Sequence, residues 1–301
     1  PSDGGTVTHI VEMFGGTPCV SIELWPPRTD DAAIKLSATL DRLEDLRPAF
    51  ASITYGAAGS TRDRTHDLVV SLQRDRHTTA MAHLACAAHS RAELEAILAR
   101  YLDAGVTNVL ALRGDPPVDA TGPLPDGDLR RAVELVELVR QTGPFCIAVA
   151  AHPVGHPDAP DLASDRRFLA DKLRVADFAI TQFFYDIDDY RRLVDDLDAL
   201  GVAKPVVPGV MPITSAKTLD RMTELSGVAV PQALRDRVES AKDASEVSRI
   251  GVDMATELCE QLVADGAPGL HFYTMNRFKA TLEICTALGL SPGGRDADVG
   301  P

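Results

Sequence analysis

A single (β/α)8 barrel is the fold the sequence predicts, and three observations carry it. Eight short apolar runs recur along the 301 residues, and segments with helical apolar spacing separate them. The runs are also continuous rather than strictly alternating, as strands covered on both faces are. Such strand-helix alternation forces parallel pairing through right-handed crossovers. A chain of this length suits one barrel, which runs to roughly 250 residues before insertions. A doubly wound sheet would call for a glycine fingerprint after an early strand, and neither GxGxxG nor GxxxxGK[ST] occurs.

In order, the strands are expected at Cys19 to Leu24, Ala49 to Thr54, Thr79 to Cys86, Asn108 to Leu112, Phe145 to Ala150, Phe178 to Phe184, Pro205 to Val210 and Leu270 to Tyr273. Helical spacing lies between them at Leu40, Leu43 and Leu46, and again at Tyr190, Leu193, Val194, Leu197 and Leu200. Ser90-Arg-Ala-Glu93 is a capping box opening the helix that carries Leu94, Ile97, Leu98, Tyr101 and Leu102. The long interval before the last strand holds extra helices, for example Pro231 to Ser240 and Ala244 to Ala264. The expected organisation is an N-terminal extension over 1–18, the barrel over 19–290 and a flexible tail over 291–301, with Pro1 to Gly5 mobile as well.

Thirty Lys and Arg against 44 Asp and Glu leave a net charge of −14, which repels phosphate backbones and anionic lipid. No nucleic-acid partner and no membrane partner are expected. No apolar run approaches the ~20 residues that span a bilayer, and no leader pattern opens the chain, so a cytoplasmic location is expected. Five scattered cysteines form no CxxC pair and read as reduced, buried thiols. Monomer and homo-oligomer both remain open.

Chemistry in such a barrel sits at the C-terminal ends of the strands. The polar residues there are Glu23, Thr54 with Tyr55, His83, Arg113-Gly114-Asp115, His152 with His156, Gln182, and His271 with Tyr273. Glu23 stands between Ile22 and Leu24, where desolvation raises a carboxyl pKa and suits it to proton donation; the alternative is a structural carboxylate paired with an arginine. Asp115 is either half of a salt-bridged loop with Arg113 or a second acid beside Glu23. His83 and His271 are core histidines or ligand donors. His152 and His156 have the spacing of a metal pair, but Pro153 and Pro157 disfavour the helix that would align them, so no metal is expected.

Six stretches in order resemble the methylenetetrahydrofolate reductase family: Ser21-Ile-Glu-Leu-Trp-Pro-Pro27, Ser52-Ile-Thr-Tyr-Gly-Ala57, Leu110-Ala-Leu-Arg-Gly-Asp-Pro-Pro117, Ala179-Ile-Thr-Gln-Phe-Phe184, Val207-Pro-Gly-Val-Met-Pro212 and His271-Phe-Tyr-Thr-Met-Asn-Arg277. The resemblance runs from about Val20 to Gly289. It implies reduction of 5,10-methylenetetrahydrofolate to 5-methyltetrahydrofolate. Glu23 would be the proton donor, Asp115 and Gln182 the pterin contacts, Arg277 a folate contact and Thr54 a nicotinamide contact.

Most members of that family relay hydride through a bound flavin, and here the likeness is uneven. Tyr55, Ala57, His83, Arg113, Gly114, His156, Asp165 and Lys172 keep flavin-contacting types. His152 replaces a Tyr, Phe168 an Asn and Asp171 an Arg, while Pro123-Leu-Pro-Asp-Gly127 lacks a usual Tyr. The sequence therefore resembles flavin-independent actinobacterial members, in which NADH or NADPH passes hydride directly to the folate iminium. NADH is preferred, since no Arg-rich loop marks a 2′-phosphate site. Three other readings compete. One is the same reaction through a bound FAD or FMN relay with ping-pong kinetics; another is a metal or Schiff-base lyase or hydrolase, against which no Lys lies in any expected strand; the third is a non-catalytic folate-binding barrel indifferent to Glu23→Gln.

Overall fold

A computed structural model describes residues 8–43, 46–56, 62–76, 78–114, 127–226 and 228–290. Asp115, Ala57, the loop 123–126 and the expected mobile ends 1–5 and 291–301 lie outside the described residues.

The strands are β1 Cys19–Leu24, β2 Phe50–Ile53, β3 Ala80–Ala85, β4 Asn108–Leu112, β5 Cys146–Ala151, β6 Phe178–Thr181, β7 Val206–Val207, β8 Gly209–Val210 and β9 Gly269–Tyr273. All pair in parallel in the order β7-β6-β5-β4-β3-β2-β1-β9-β8. Because Pro208 alone separates β7 from β8, the chain itself closes the ring, and the result is an α/β barrel. The expected seventh strand, Pro205 to Val210, is thus divided at a residue with no N–H to donate. Its first half pairs with β6 and its second with β9, while Pro208 O accepts from His271 N–H at 3.0 Å. Gly209 is obligatory at the join, since a Cβ there would lie 2.2 Å from Thr181 O and 2.5 Å from Tyr273 Cε2.

Ten helices among the described residues surround the strands: α1 Asp30–Leu43, α2 Arg62–Asp75, α3 Arg91–Asp103, α4 Ala132–Thr142, α5 Leu162–Leu173, α6 Ile187–Ala199, α7 Ala216–Ser226, α8 Gln232–Glu239, α9 Ala244–Ala264 and α10 Lys279–Ala287. The capping box at Ser90 and Glu93 forms as expected, and α8 and α9 fall where the extra helices were predicted.

Strand residues alternate between two apolar layers. Ile22, Leu24, Ala82, Leu84, Val109, Ile147, Val149, Leu270 and Phe272 pack outward on the helices. Cys19, Phe50, Met81, Leu110, Cys146, Phe178, Ile180 and Val207 fill the barrel's interior. Ile10, in a 3-10 turn over Ile10–Met13, joins that interior cluster with Val11, Met13 and Phe14 against it. Asn108 holds the turn by accepting Ile10 N–H at 2.9 Å and donating to Thr8 O at 3.1 Å. Asn108 opens β4, so this plug closes the N-terminal end of the barrel and leaves the C-terminal mouth to the polar side chains.

Candidate active site

The mouth encloses a cavity of about 310 Å3. Its lining combines Glu23, His83, His152, Gln182, His271 and Tyr273 with apolar surface from Leu110, Leu112, Phe183, Met211, Met222 and Met275. Six of the polar residues expected at the strand ends therefore converge: Glu23, His83, His152, Gln182, His271 and Tyr273.

Strand register explains the convergence. Glu23 pairs with Ser52 of β2 and Tyr273 of β9, and one inward layer below it Ser21 pairs with Phe50 and His271. Ser21, Glu23, His271 and Tyr273 share inward parity along their strands. Burial pushes the Glu23 carboxyl up to about 7, opposed by the Trp25 Nε1–H that donates to Oε1 at 3.3 Å. Oε2 has His83 Nε2 at 3.9 Å, beyond hydrogen-bonding reach. Glu23 therefore keeps a substantial protonated fraction near neutral pH, in a largely apolar cavity and with no arginine among its described partners.

The loop after β9 clamps the exit of β1. Thr274 Oγ1 donates to Glu23 O at 2.7 Å, Asn276 Oδ1 accepts Trp25 N–H at 2.8 Å, and Asn276 Nδ2 donates to Trp25 O at 3.0 Å. Met275 and Asn276 adopt left-handed φ values of 48° and 58° to do so, a conformation that Asn tolerates and Met rarely adopts.

The two strand-end histidines differ in their partners. His271 is a satisfied core residue, with Nδ1 2.8 Å from Ser21 Oγ and Nε2 3.2 Å from Ser52 Oγ. Burial holds its pKa down at about 3. His83 is also driven down to about 3 by burial, yet its Nε2 is buried with no hydrogen-bond partner. Gln182 Oε1 accepts Phe183 N–H at 3.0 Å, which leaves the amide nitrogen for a ligand. Tyr273 donates its hydroxyl to Thr181 O at 2.6 Å. Arg277 lines a neighbouring cavity of about 200 Å3 that shares Tyr273 and Met275 with the main one.

The remaining predicted cofactor residues stand outside the cavity lining, mostly engaged with protein. Tyr55 O–H reaches His89 Nε2 at 2.9 Å, and Thr54 N–H extends the β1–β2 ladder to Leu24 O at 3.0 Å. Arg113 pairs with Asp158 at 2.8 Å. Gly114 has φ +93°, where a Cβ would meet Ala85 Cβ at 3.0 Å. Asp165 accepts from His156 N–H at 3.2 Å and from Arg166 at 2.9 Å. Arg166 is 3% exposed, and its guanidinium is spent on Asp165, Asp196, His152 O and Pro153 O. Lys172 Nζ donates to Ala150 O at 3.0 Å, and burial lowers its pKa to about 8. Asp171 pairs with Arg174, and Phe168 is 56% exposed. The rings of His152 and His156 meet edge to face at 4.6 Å, and burial, followed by His156, lowers the His152 pKa to about 3. Among the described residues no cluster of three metal-ligating side chains exists, and no helix is long and apolar enough to cross a membrane.

The sequence reading missed Trp25 and Asn276 as parts of the frame around Glu23. The signal was present in Trp25, two residues from an acid in an apolar strand, but absent for Asn276, 251 residues away.

Comparison with known proteins agrees with this geometry. In solved structures, the barrel is similar to an uncharacterised Clostridium thermocellum protein that binds two copies of 5-methyl-5,6,7,8-tetrahydrofolic acid; the TM-score is 0.61 at 16% identity, covering 90% of this chain and 94% of that one. The chain is 36% identical to the 5,10-methylenetetrahydrofolate reductase of Pectobacterium carotovorum subsp. carotovorum, covering 91% of each. It is also 36% identical to methylenetetrahydrofolate reductase (NADH) 1 of Arabidopsis thaliana, across 91% of this chain and 49% of that protein. The methylenetetrahydrofolate reductase family model matches residues 7–289, and the chain belongs to that family.

Proposed function

We propose that the protein reduces 5,10-methylenetetrahydrofolate to 5-methyltetrahydrofolate with hydride taken directly from NADH. The observation that carries the reading is Glu23, a buried acid that keeps its proton to about pH 7 at the mouth of a barrel of this family. A carboxyl of ordinary pKa would be ionised at neutral pH and unable to donate.

Glu23 gives its proton to N10 of the folate as the bond from N10 to the bridging carbon breaks, which opens the five-membered ring and leaves an N5 iminium. Hydride from C4 of the nicotinamide adds to the iminium carbon, giving the N5-methyl group and NAD+. One proton from solvent then restores Glu23, so the reaction consumes one NADH and one proton. Gln182 orients the pterin through its amide, and the methionine and phenylalanine walls exclude water from the cation. The family resemblance assigns further folate contacts to Arg277, in the adjoining cavity, and to Asp115, which lies outside the described residues.

A flavin relay does not suit these side chains. A diphosphate near α5 would meet Asp171, itself paired with Arg174, in place of a cation; Arg166 and Arg113 are held by carboxylates and Lys172 by a backbone carbonyl, which leaves Arg167, bonded to Ser164 Oγ, as the helix's exposed cation. At an exposed, already paired carboxylate the loss of a cation's attraction is worth on the order of 1 kcal/mol. Phe168, exposed on α5, offers no hydrogen bond where the family keeps an amide. Direct transfer requires both substrates bound at once, so initial rates over both concentrations are expected to give intersecting double-reciprocal lines. Parallel lines would show a relay.

A further inference from the structure

His83 is a polar group of the cavity that this chemistry leaves unemployed. It is 5% exposed, sits on β3 across from Leu110 of β4, and its Nε2 has no hydrogen-bond partner. An unpaired buried ring nitrogen is costly to keep, which makes the carboxyl neighbour within 4 Å of it informative. That neighbour is Glu23 Oε2 at 3.9 Å. The other carboxyl oxygen accepts from Trp25 Nε1, so Oε1 is held as the acceptor and the transferable proton falls to Oε2, on the His83 side.

We propose that His83 is a positioning residue for Glu23: its Nε2–H donates to Oε2 once the proton has left for the substrate. This inference rests on the proposed role of Glu23. It assigns His83 a task distinct from the flavin contact that the resemblance implies. In the structure the two groups stand 3.9 Å apart. Loss of the proton creates an oxygen anion facing a ready N–H donor, and a rotation of about 1 Å closes the gap to ordinary hydrogen-bond length. His83 thereby stabilises the product form of the acid without carrying charge. The other titratable groups around the pair are His271 and Tyr273 from β9 and His152 from β5. His271 and His152 titrate only at about pH 3, and Tyr273 is pushed above its usual range by burial, so Glu23 is the group among them that changes charge near neutrality.

The test is a 13C NMR titration of Glu side-chain carboxyls in the full chain, with Glu23→Gln assigning the Glu23 signal. It compares the parent protein with His83→Phe, which lacks a donor, and with His83→Gln, which keeps one. A hydrogen bond to the ionised form lowers a carboxyl pKa, so its loss raises the midpoint. His83→Phe is expected to move it up by about one pH unit, a tenfold change in the ionisation equilibrium, and His83→Gln to restore most of it. In turnover, kcat falls about tenfold in His83→Phe and recovers in His83→Gln, with the folate KM within about twofold. An unchanged midpoint in both variants, or an equal shift in both, overturns the inference. The failure of the functional reading looks different: Glu23→Gln would turn over normally, whatever the His83 titrations show.

Discussion

Glu23→Gln should stabilise the protein while disabling it, and the stabilisation should depend on pH in a calculable way. In the unfolded chain Glu23 ionises near 4.5, whereas in the fold burial holds its proton to about 7. Between those values the folded state binds more protons than the unfolded state, so this group's contribution falls as pH rises and reaches its full penalty above pH 7. The penalty is roughly 3 kcal/mol. Gln is isosteric, keeps an acceptor for Trp25 Nε1 and never ionises. The histidines at 83, 152 and 271 act in the opposite direction: each is held near 3 in the fold, so stability is lost as pH falls below the unfolded value of 6.5. Both proteins share those histidines, and the difference between them isolates Glu23. Urea denaturation at pH 5 and pH 8 should show the advantage of Glu23→Gln growing by roughly 2 to 3 kcal/mol across that interval. Turnover should fall by roughly 100- to 10,000-fold, the span general acid catalysis supplies. An advantage that is constant with pH, or that shrinks toward pH 8, would refute the claim that Glu23 is a neutral buried acid.

Two further substitutions probe the frame around it. Gly209→Ala places a methyl group against Thr181 O and the Tyr273 ring, at the point where β7 and β8 close the barrel, so a loss of roughly 3 kcal/mol and a lower thermal midpoint are expected. A midpoint equal to the parent's would mean that the closure is looser than described. Asn276→Ala removes two hydrogen bonds to the Trp25 backbone and puts Ala at a left-handed φ, a combined cost of about 2 kcal/mol. Trp25 is the sole tryptophan, so its fluorescence reports the loosening directly, and an unaltered spectrum would argue against the clamp.

The barrel was legible because continuous apolar runs and intervening helical spacing leave few topologies open. Glu23, His83 and Gln182 were legible for a related reason, each being a polar residue where a strand pattern demands an apolar one. The split of the seventh run was written in Pro208, whose missing N–H ends one pairing and starts another. Other features depend on partners far along the chain. His271 is a core residue because of Ser21 and Ser52, which lie 250 and 219 positions away. The inward pairing of Arg166 and Lys172 is invisible to composition, since a basic residue on a helix is normally solvated. Only the packing of α5 against the end of β5 shows that both turn inward to protein oxygens.

The central claim, direct hydride transfer, is tested by mass spectrometry of 5-methyltetrahydrofolate formed from 5,10-methylenetetrahydrofolate and C4-deuterated NADH, using protein stripped of flavin. Product formed without added flavin, with deuterium retained in its methyl group at full stoichiometry, is the predicted result. Hydrogen on a reduced flavin exchanges with water, so product that appears only after flavin is supplied, with the label washed out, would contradict the account.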